Sequence, residues 1–500
     1  MTEQEQAPDP AKSDELLSLD QAVRFLGVSR PTVYRMLSAG DLKGMRVGRQ
    51  WRFRKDDLMA HMMRSPSALG PQAADDAEAE LAFFAGECVG LGAATDEEPP
   101  GDNDPASATV ARLCDAMVRL ALALRASDLH IEPRRSGGEG CALVRCRVDG
   151  LLHVVRRMPR RLLEPVVDRL KSMAGLDVGE RRLPQSGRFG VLLGDREFEL
   201  RTATLPVFGG EAITLRVLVR DAQVPDLGRL NVSDDLRARL DGLLHQPNGI
   251  LLVSGPTGSG KTTTLYAALQ SISGDGVKTM TVEDPVELVI PNATQVAVNP
   301  RGGITVASAL RAVMQHDPDV IMLADVTDQE TAEAAVQIAM NGHLVLCQLH
   351  AESAGGAIER FVSLCSDPYY PAATLLGALN QRLVRRVCSD CGAEIEAPPP
   401  AAVRLVEVAG TAEDLSARWR RGSGCPACRM TGYRGRGALY ELITVDRELA
   451  AAIRSQASAE ELDATALAQG QENLVIDGLR KATTGLTTAE EVLRVLGVAL

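Results

Sequence analysis

The strongest constraint in this chain is the stretch Gly255-Pro256-Thr257-Gly258-Ser259-Gly260-Lys261-Thr262, followed by Thr263. It fits G-x-x-x-x-G-K-[ST], with the apolar run Gly249 to Val253 before it and a helix-forming segment after it. Backbone N–H groups converge on an anion only where glycine frees the chain, and a helix N-terminus behind them adds partial positive charge. The pattern therefore predicts strand, phosphate-cradling loop and helix, which is the opening of a doubly wound α/β domain. In such a loop Lys261 reaches the β- and γ-phosphates of ATP and the Thr262 hydroxyl ligates Mg2+.

Hydrolysis also needs a carboxylate at the end of a buried strand and a polarised water. Two segments qualify: Thr281-Val282-Glu283-Asp284-Pro285-Val286-Glu287, and Val320-Ile321-Met322-Leu323-Ala324-Asp325, which has the form of a Walker B strand. At 500 residues the chain has room for three or four domains of about 150 each. With 45% hydrophobic and 24% charged residues it is globular rather than disordered. The net charge of −12 excludes indiscriminate nucleic-acid coating but hides a basic module, because residues 16–64 carry ten Lys/Arg against four Asp/Glu.

That module reads as helix, turn, helix and hairpin. Leu19 to Leu26 is amphipathic, Gly27 stops it, Ser29 and Pro31 open a second helix, and Met45 to Phe53 alternates around Gly48-Arg49 before a helix from Lys55 to Met63. Residues 1–15 are expected to be disordered. They lack a signal peptide's basic start and apolar run, and no stretch is apolar enough to span a bilayer, so a cytoplasmic location is expected. Residues 65–106 hold ten acidic groups and no Lys or Arg, and read as a linker with a short helix around Glu78 to Phe84.

An α+β domain is expected over 107–221, with a hairpin turn at Asp149-Gly150, followed by the nucleotide core over 222–385. Cys388-x-x-Cys391 and Cys425-x-x-Cys428, each beside a tight turn, suit a structural Zn2+ with all four positions filled by thiolate, over 386–438. The remainder, 439–500, reads as helical, with capping boxes at Ser458 to Glu461 and Thr488 to Glu491.

Residues 107–500 resemble the secretion ATPases of the type II secretion and type IV pilus assembly family. The resemblance rests on Ala126-Ser127-Asp128-Leu129-His130-Ile131-Glu132-Pro133, the phosphate loop, the aspartate box TVEDPVE from Thr281, and the histidine box from Gly342 to His350. It implies a cytoplasmic homo-hexameric motor, with peripheral contact at the inner membrane through a platform protein. By the same resemblance Glu283 is the general base or water-orienting group, Asp325 stands at the Walker B position serving Mg2+, and His350 senses the γ-phosphate. Arg188 and Arg201 match arginines through which the first domain reaches the nucleotide. The segment 16–64 resembles excisionase-type winged helix-turn-helix domains, which implies duplex DNA as a partner, with Arg30, Thr32, Tyr34 and Arg35 in the major groove and Arg46, Arg49 and Arg52 along the backbone or minor groove.

Three departures surround one pocket. Ala324-Asp325-Val326-Thr327-Asp328 lacks the family's glutamate and arginine, Gln315 replaces a second arginine beyond Arg311, and Ser186 replaces an acid. They imply slow hydrolysis, and they leave open a second reading, a nucleotide-responsive DNA-binding regulator built on a degenerate secretion ATPase. The expected architecture is thus a RecA-like P-loop domain preceded by an α+β domain, with a small helix-turn-helix in front and a zinc insertion held by the four cysteines.

Overall fold

The computed structural model describes residues 16–19, 21–22, 44–47, 50–54, 71–90, 105–134, 140–194, 196–219, 224–395, 398–410 and 419–498. The chain divides into two compact units, 1–148 with 152–218, and 149–151 with 219–500.

At the start of the first unit, β1 (Leu16–Ser18), β2 (Met45–Val47) and β3 (Gln50–Arg54) form a small sheet in the order β1-β3-β2. The hairpin pairs Met45 with Arg52 and Val47 with Gln50, on either side of Gly48 and Arg49. β1 adds a strand the sequence did not suggest, pairing Leu17 with the fully buried Phe53. The helices expected over Arg30 to Ser38 and Lys55 to Met63 lie outside the described residues.

The stretch expected to be a linker contains a twenty-residue helix, Pro71–Gly90. Its buried positions, Ala73, Ala77, Glu80, Phe84 and Cys88, recur every three or four residues and form one stripe. That stripe meets the helix Pro105–Ala123, where the Cys88 thiol donates to the Ala116 carbonyl. Arg156 donates to the buried Glu80 at 2.8 Å and stacks over Phe83, so this acidic residue serves packing. The helix Pro105–Ala123 is mostly buried, with Arg112, Asp115 and Arg119 as its polar stripe.

Six strands complete the unit: β4 (Asp128–Arg134), β5 (Cys141–Val148), β6 (Leu151–Pro159), β7 (Gln185–Leu193), β8 (Arg196–Val207) and β9 (Gly210–Val219), in the order β6-β5-β4-β9-β8-β7. The α+β expectation is met in kind. Burial along β7 alternates strictly, as an edge strand with one wet face requires.

The second unit is built on β10 (Gly249–Ser254), β11 (Thr279–Glu283), β12 (Ala293–Ala297), β13 (Val320–Leu323), β14 (Leu344–Leu349) and β15 (Leu375–Val387). Two strands of a side ribbon, β16 (Gly392–Glu394) and β17 (Arg420–Gly422), precede β18 (Tyr433–Thr444). The main sheet runs β12-β11-β13-β14-β10-β15-β18, parallel except for β18. All six residues of β10 are buried. Ile250 and Leu252 point into one core and Leu251 and Val253 into the other, because successive side chains face opposite sides and helices cover both.

β18 corrects the expectation that the chain is helical from Leu439. Ala438 to Ile443 is a fully buried run paired antiparallel with β15, and the terminal helices begin only at Arg447. Of the two capping boxes, Ser458 with Glu461 is complete. At Thr488 only half of the box forms, because the Glu491 carboxylate is held by Arg385 and Arg494.

Candidate functional site

The phosphate loop connects β10, near the centre of the parallel sheet, to the helix Lys261–Ile272. This places it at the carboxyl ends of the strands, where open α/β sheets bind ligands. Lys261 is almost fully buried and its ammonium donates to the carbonyls of Gly255 and Pro256, 3.0 Å each, with His350 Nδ1 at 3.4 Å. Burial draws the Lys261 pKa below its ordinary value, a shift that Asp325 opposes and Arg382 reinforces. The Lys261 ammonium thus rests on loop carbonyls that a stronger acceptor can replace. Thr262, at the first turn of the helix, has its hydroxyl 3.4 Å from Gln348 Oε1.

The two acids diverge. Asp325 follows β13 by two residues and is exposed, yet enough protein surrounds its carboxyl for desolvation to raise its pKa, against the pull of His350, Lys261 and Arg360. It therefore shares a field with Lys261 and His350, and the structure brings these three expected groups together. Glu283 is different. At the end of β11 it is 1% exposed, and its carboxylate accepts from the hydroxyls of Tyr266 and Thr281 and, at 2.9 Å, from Gln295. So held, the carboxylate anchors the end of β11, with room left for one further donor. Asp328 caps the helix Gln329–Met340 through Thr331 N, and Arg311 is exposed beside Glu330.

Three residues went unnoticed in the sequence. Gln348 faces Thr262, Gln381 donates to the Ser259 carbonyl at 2.7 Å, and Arg382 donates to the Glu352 carbonyl at 2.7 Å, just past His350. The signal was weak because Gln348 is one polar residue in an apolar strand, and Gln381 and Arg382 are two of several polar residues on β15. Its meaning depends on which strand lies beside it.

The four cysteines gather where β15 ends and β18 begins. Their sulfurs all lie within 4.8 Å of one another, with Cys388–Cys425 at 3.9 Å, Cys391–Cys428 at 3.7 Å and Cys425–Cys428 at 3.6 Å. A tetrahedron with metal–sulfur bonds of about 2.3 Å has edges of about 3.8 Å, so the donor set fits a four-coordinate ion. Burial would raise the Cys428 thiol, but N–H donors from Cys425 and Gly432 outweigh it and hold the pKa below the ordinary thiol range. Among the described residues this is the cluster able to hold a metal.

In the first unit, Arg188 and Arg201 are direct cross-strand partners on β7 and β8, so both point to one face of the sheet. Arg188 is largely exposed, 3.8 Å from Glu199. Asp128 and Glu132 are taken up by Arg216 and Arg145, and His130 meets Thr214 at 3.1 Å. In the N-terminal hairpin Arg46 is exposed with its guanidinium 5.8 Å from the Trp51 ring centre, whereas Arg52 pairs with Met45 and so points to the other face. The structure therefore does not bring Arg46 and Arg52 onto one surface. Arg30, Thr32, Tyr34, Arg35 and Arg49 lie outside the described residues. Among the described residues no helix is long and apolar enough to cross a membrane.

The family described as type II/IV secretion system protein matches residues 103–494, and a helix-turn-helix domain matches residues 16–65. The chain is 41% identical over 403 residues to the type II secretion system protein E of Pectobacterium carotovorum subsp. carotovorum, covering 80% of this chain and 79% of that protein. It is 40% identical over 398 residues to the type IV pilus assembly ATPase PilB of Thermus thermophilus, which is 80% of this chain and 44% of PilB. The solved structure of the Legionella pneumophila ATPase DotB superposes with a TM-score of 0.56 at 20% identity, over 80% of this chain and 98% of that one, a likeness of fold.

Proposed function

Since the chain belongs to the type II/IV secretion system protein family, we propose that it is an ATP-hydrolysing motor subunit of a secretion or pilus assembly machine. The observation that carries this reading is the convergence of Lys261, His350 and Asp325 at the strand ends beside the phosphate loop.

On nucleotide binding, Lys261 exchanges two carbonyls for phosphate oxygens, which are far stronger acceptors for an ammonium. The N–H groups of the loop and the N-terminus of the helix Lys261–Ile272 hold the remaining charge. Thr262, its hydroxyl facing Gln348, would hold Mg2+, which would supply charge neutralisation for the phosphates. Asp325 orients the water or the metal's hydration shell. Its reach is one methylene shorter than a glutamate's, which keeps turnover slow. His350 stands where a γ-phosphate would change its hydrogen bonding to Lys261. Arg188 and Arg201, side by side on β7 and β8, are a pair of charges suited to an anionic ligand.

Zn2+ is the ion proposed for Cys388, Cys391, Cys425 and Cys428. With four thiolates it has no open position and acts structurally, tying the end of β15 to the start of β18. Assembly as a homo-hexamer on an inner-membrane platform protein follows from the same family reading, and duplex DNA is proposed as the ligand of the N-terminal domain.

Lys261→Ala tests the core of the proposal. Calorimetry with ATP and Mg2+ should show affinity lost by more than about 100-fold, since a buried charge–phosphate contact is removed. Unchanged affinity would place nucleotide elsewhere.

A further inference from the structure

Gln381 is a buried amide in the strand beside the phosphate loop, 1% exposed. β15 runs parallel to β10 up to the pair Ser254 and Asn380, so the next residue of each strand, Gly255 and Gln381, are neighbours at the point where the loop begins. A side chain on Gly255 would put its Cβ 2.5 Å from the Gln381 carbonyl oxygen, and one on Gly260 would put it 3.2 Å from Gln381 Nε2. The first and last glycines of the loop thus both close on this one residue. Between them, Gln381 Nε2 donates to the Ser259 carbonyl at 2.7 Å.

Peptide geometry gives that bond a consequence. In a trans peptide the C=O and N–H point in opposite directions. Holding the Ser259 oxygen on the sheet side therefore aims the Gly260 N–H away from the sheet, into the loop. We propose that Gln381 is a positioning residue for the nucleotide, which presets the Ser259–Gly260 peptide so that its N–H faces the phosphates. The amide is an awkward residue for packing alone. Gln381 Oε1 is buried without a partner, a penalty that an apolar side chain of the same length would avoid. The penalty is retained at the one position from which Nε2 reaches the loop carbonyl.

The inference rests on the nucleotide reading above, and its test separates the two. Gln381→Met keeps length and removes both amide atoms. In the full chain, calorimetry should show ATP and ADP affinity each reduced about tenfold, because the cradled β-phosphate is common to both. Turnover at saturating ATP should stay within about twofold, and the melting temperature without nucleotide should be unchanged or higher, since an orphaned acceptor is gone. Gln381→Glu, which keeps the shape but carries no donor and adds an anion beside the loop, should weaken both nucleotides further. Wild-type affinity in either variant would overturn the proposal while leaving the loop as the nucleotide site. So would a loss of nucleotide-free melting temperature matching the loss of affinity. A wild-type chain that binds no ATP would overturn both readings.

Discussion

The phosphate loop and the cysteine cluster are both attached to β15, seven residues apart from Gln381 to Cys388, and they treat polar groups in opposite ways. Around the loop, capacity is left unused: Lys261 rests on carbonyls, Asp325 is open to solvent, and Ser259 Oγ and Gln381 Oε1 have no partner. At the cluster every thiol faces three others. A site that must take up and release a charged ligand keeps donors that are satisfied only weakly without it. A site that holds an ion permanently presents a closed set of ligands. Glu283 leans toward the second kind despite lying near the first, since three donors already hold its carboxylate.

The sharpest way to break this comparison is to exchange the two acids. Asp325→Asn should lower kcat by about 100-fold with ATP affinity within a few fold, measured by steady-state phosphate release. Glu283→Gln should act first on folding, because an amide N–H would face the Tyr266 hydroxyl or the Gln295 amide, lowering the melting temperature. If Glu283→Gln abolished turnover at an unchanged melting temperature, Glu283 rather than Asp325 would serve the water.

Next in size, elemental analysis should find one metal per chain, and Cys425→Ser should remove it and lower the melting temperature by roughly 5–10 °C. ATP affinity should move by less than about threefold. A collapse of nucleotide binding would show that the closed site and the open one are coupled through β15.

A smaller effect is expected from Glu441 on β18, whose carboxylate accepts from Ala354 N at the helix that follows His350. Burial, with the nearby Asp463 adding to it, pushes its pKa up from 4.5 to about 7. The folded state therefore favours the protonated form. The stability this contributes is fully present below the unfolded pKa and is lost as pH rises through about 7. Glu441→Gln should narrow the difference in unfolding free energy between pH 5 and pH 8 by on the order of 1–3 kcal/mol. An unchanged difference would mean that the carboxyl stays ionised.

The smallest change should come from the hairpin. Replacing Arg46 by Ala in the full chain should reduce the slope of log affinity for duplex DNA against log salt by about 0.9 if that exposed guanidinium meets a phosphate. Because Arg52 points to the other face, Arg52→Ala should leave the slope nearer the wild type. Equal effects of the two would show that DNA grips the hairpin by its edge.

What the sequence determined by itself is what short-range chemistry dictates. The glycine pattern and its lysine define the loop whatever surrounds them, the apolar run Gly249 to Val253 requires a doubly covered strand, and two Cys-x-x-Cys pairs offer four thiolates suited to a metal. The helix Pro71–Gly90 was legible in principle, but its stripe holds two alanines and a glutamate beside Phe84 and Cys88, too weakly apolar to stand out from acidic neighbours. The run Ala438 to Ile443 could be helix or strand until β15 supplied the partner. Tertiary structure alone decided the roles of single polar residues: Glu283 closed by Tyr266, Thr281 and Gln295, and Gln348 and Gln381 assigned to the loop. The physical reason is that a hydrogen bond belongs to a pair of atoms. The strand order β14-β10-β15, which makes those pairs, is formed by segments about a hundred residues apart or more, brought together by burial of their apolar faces.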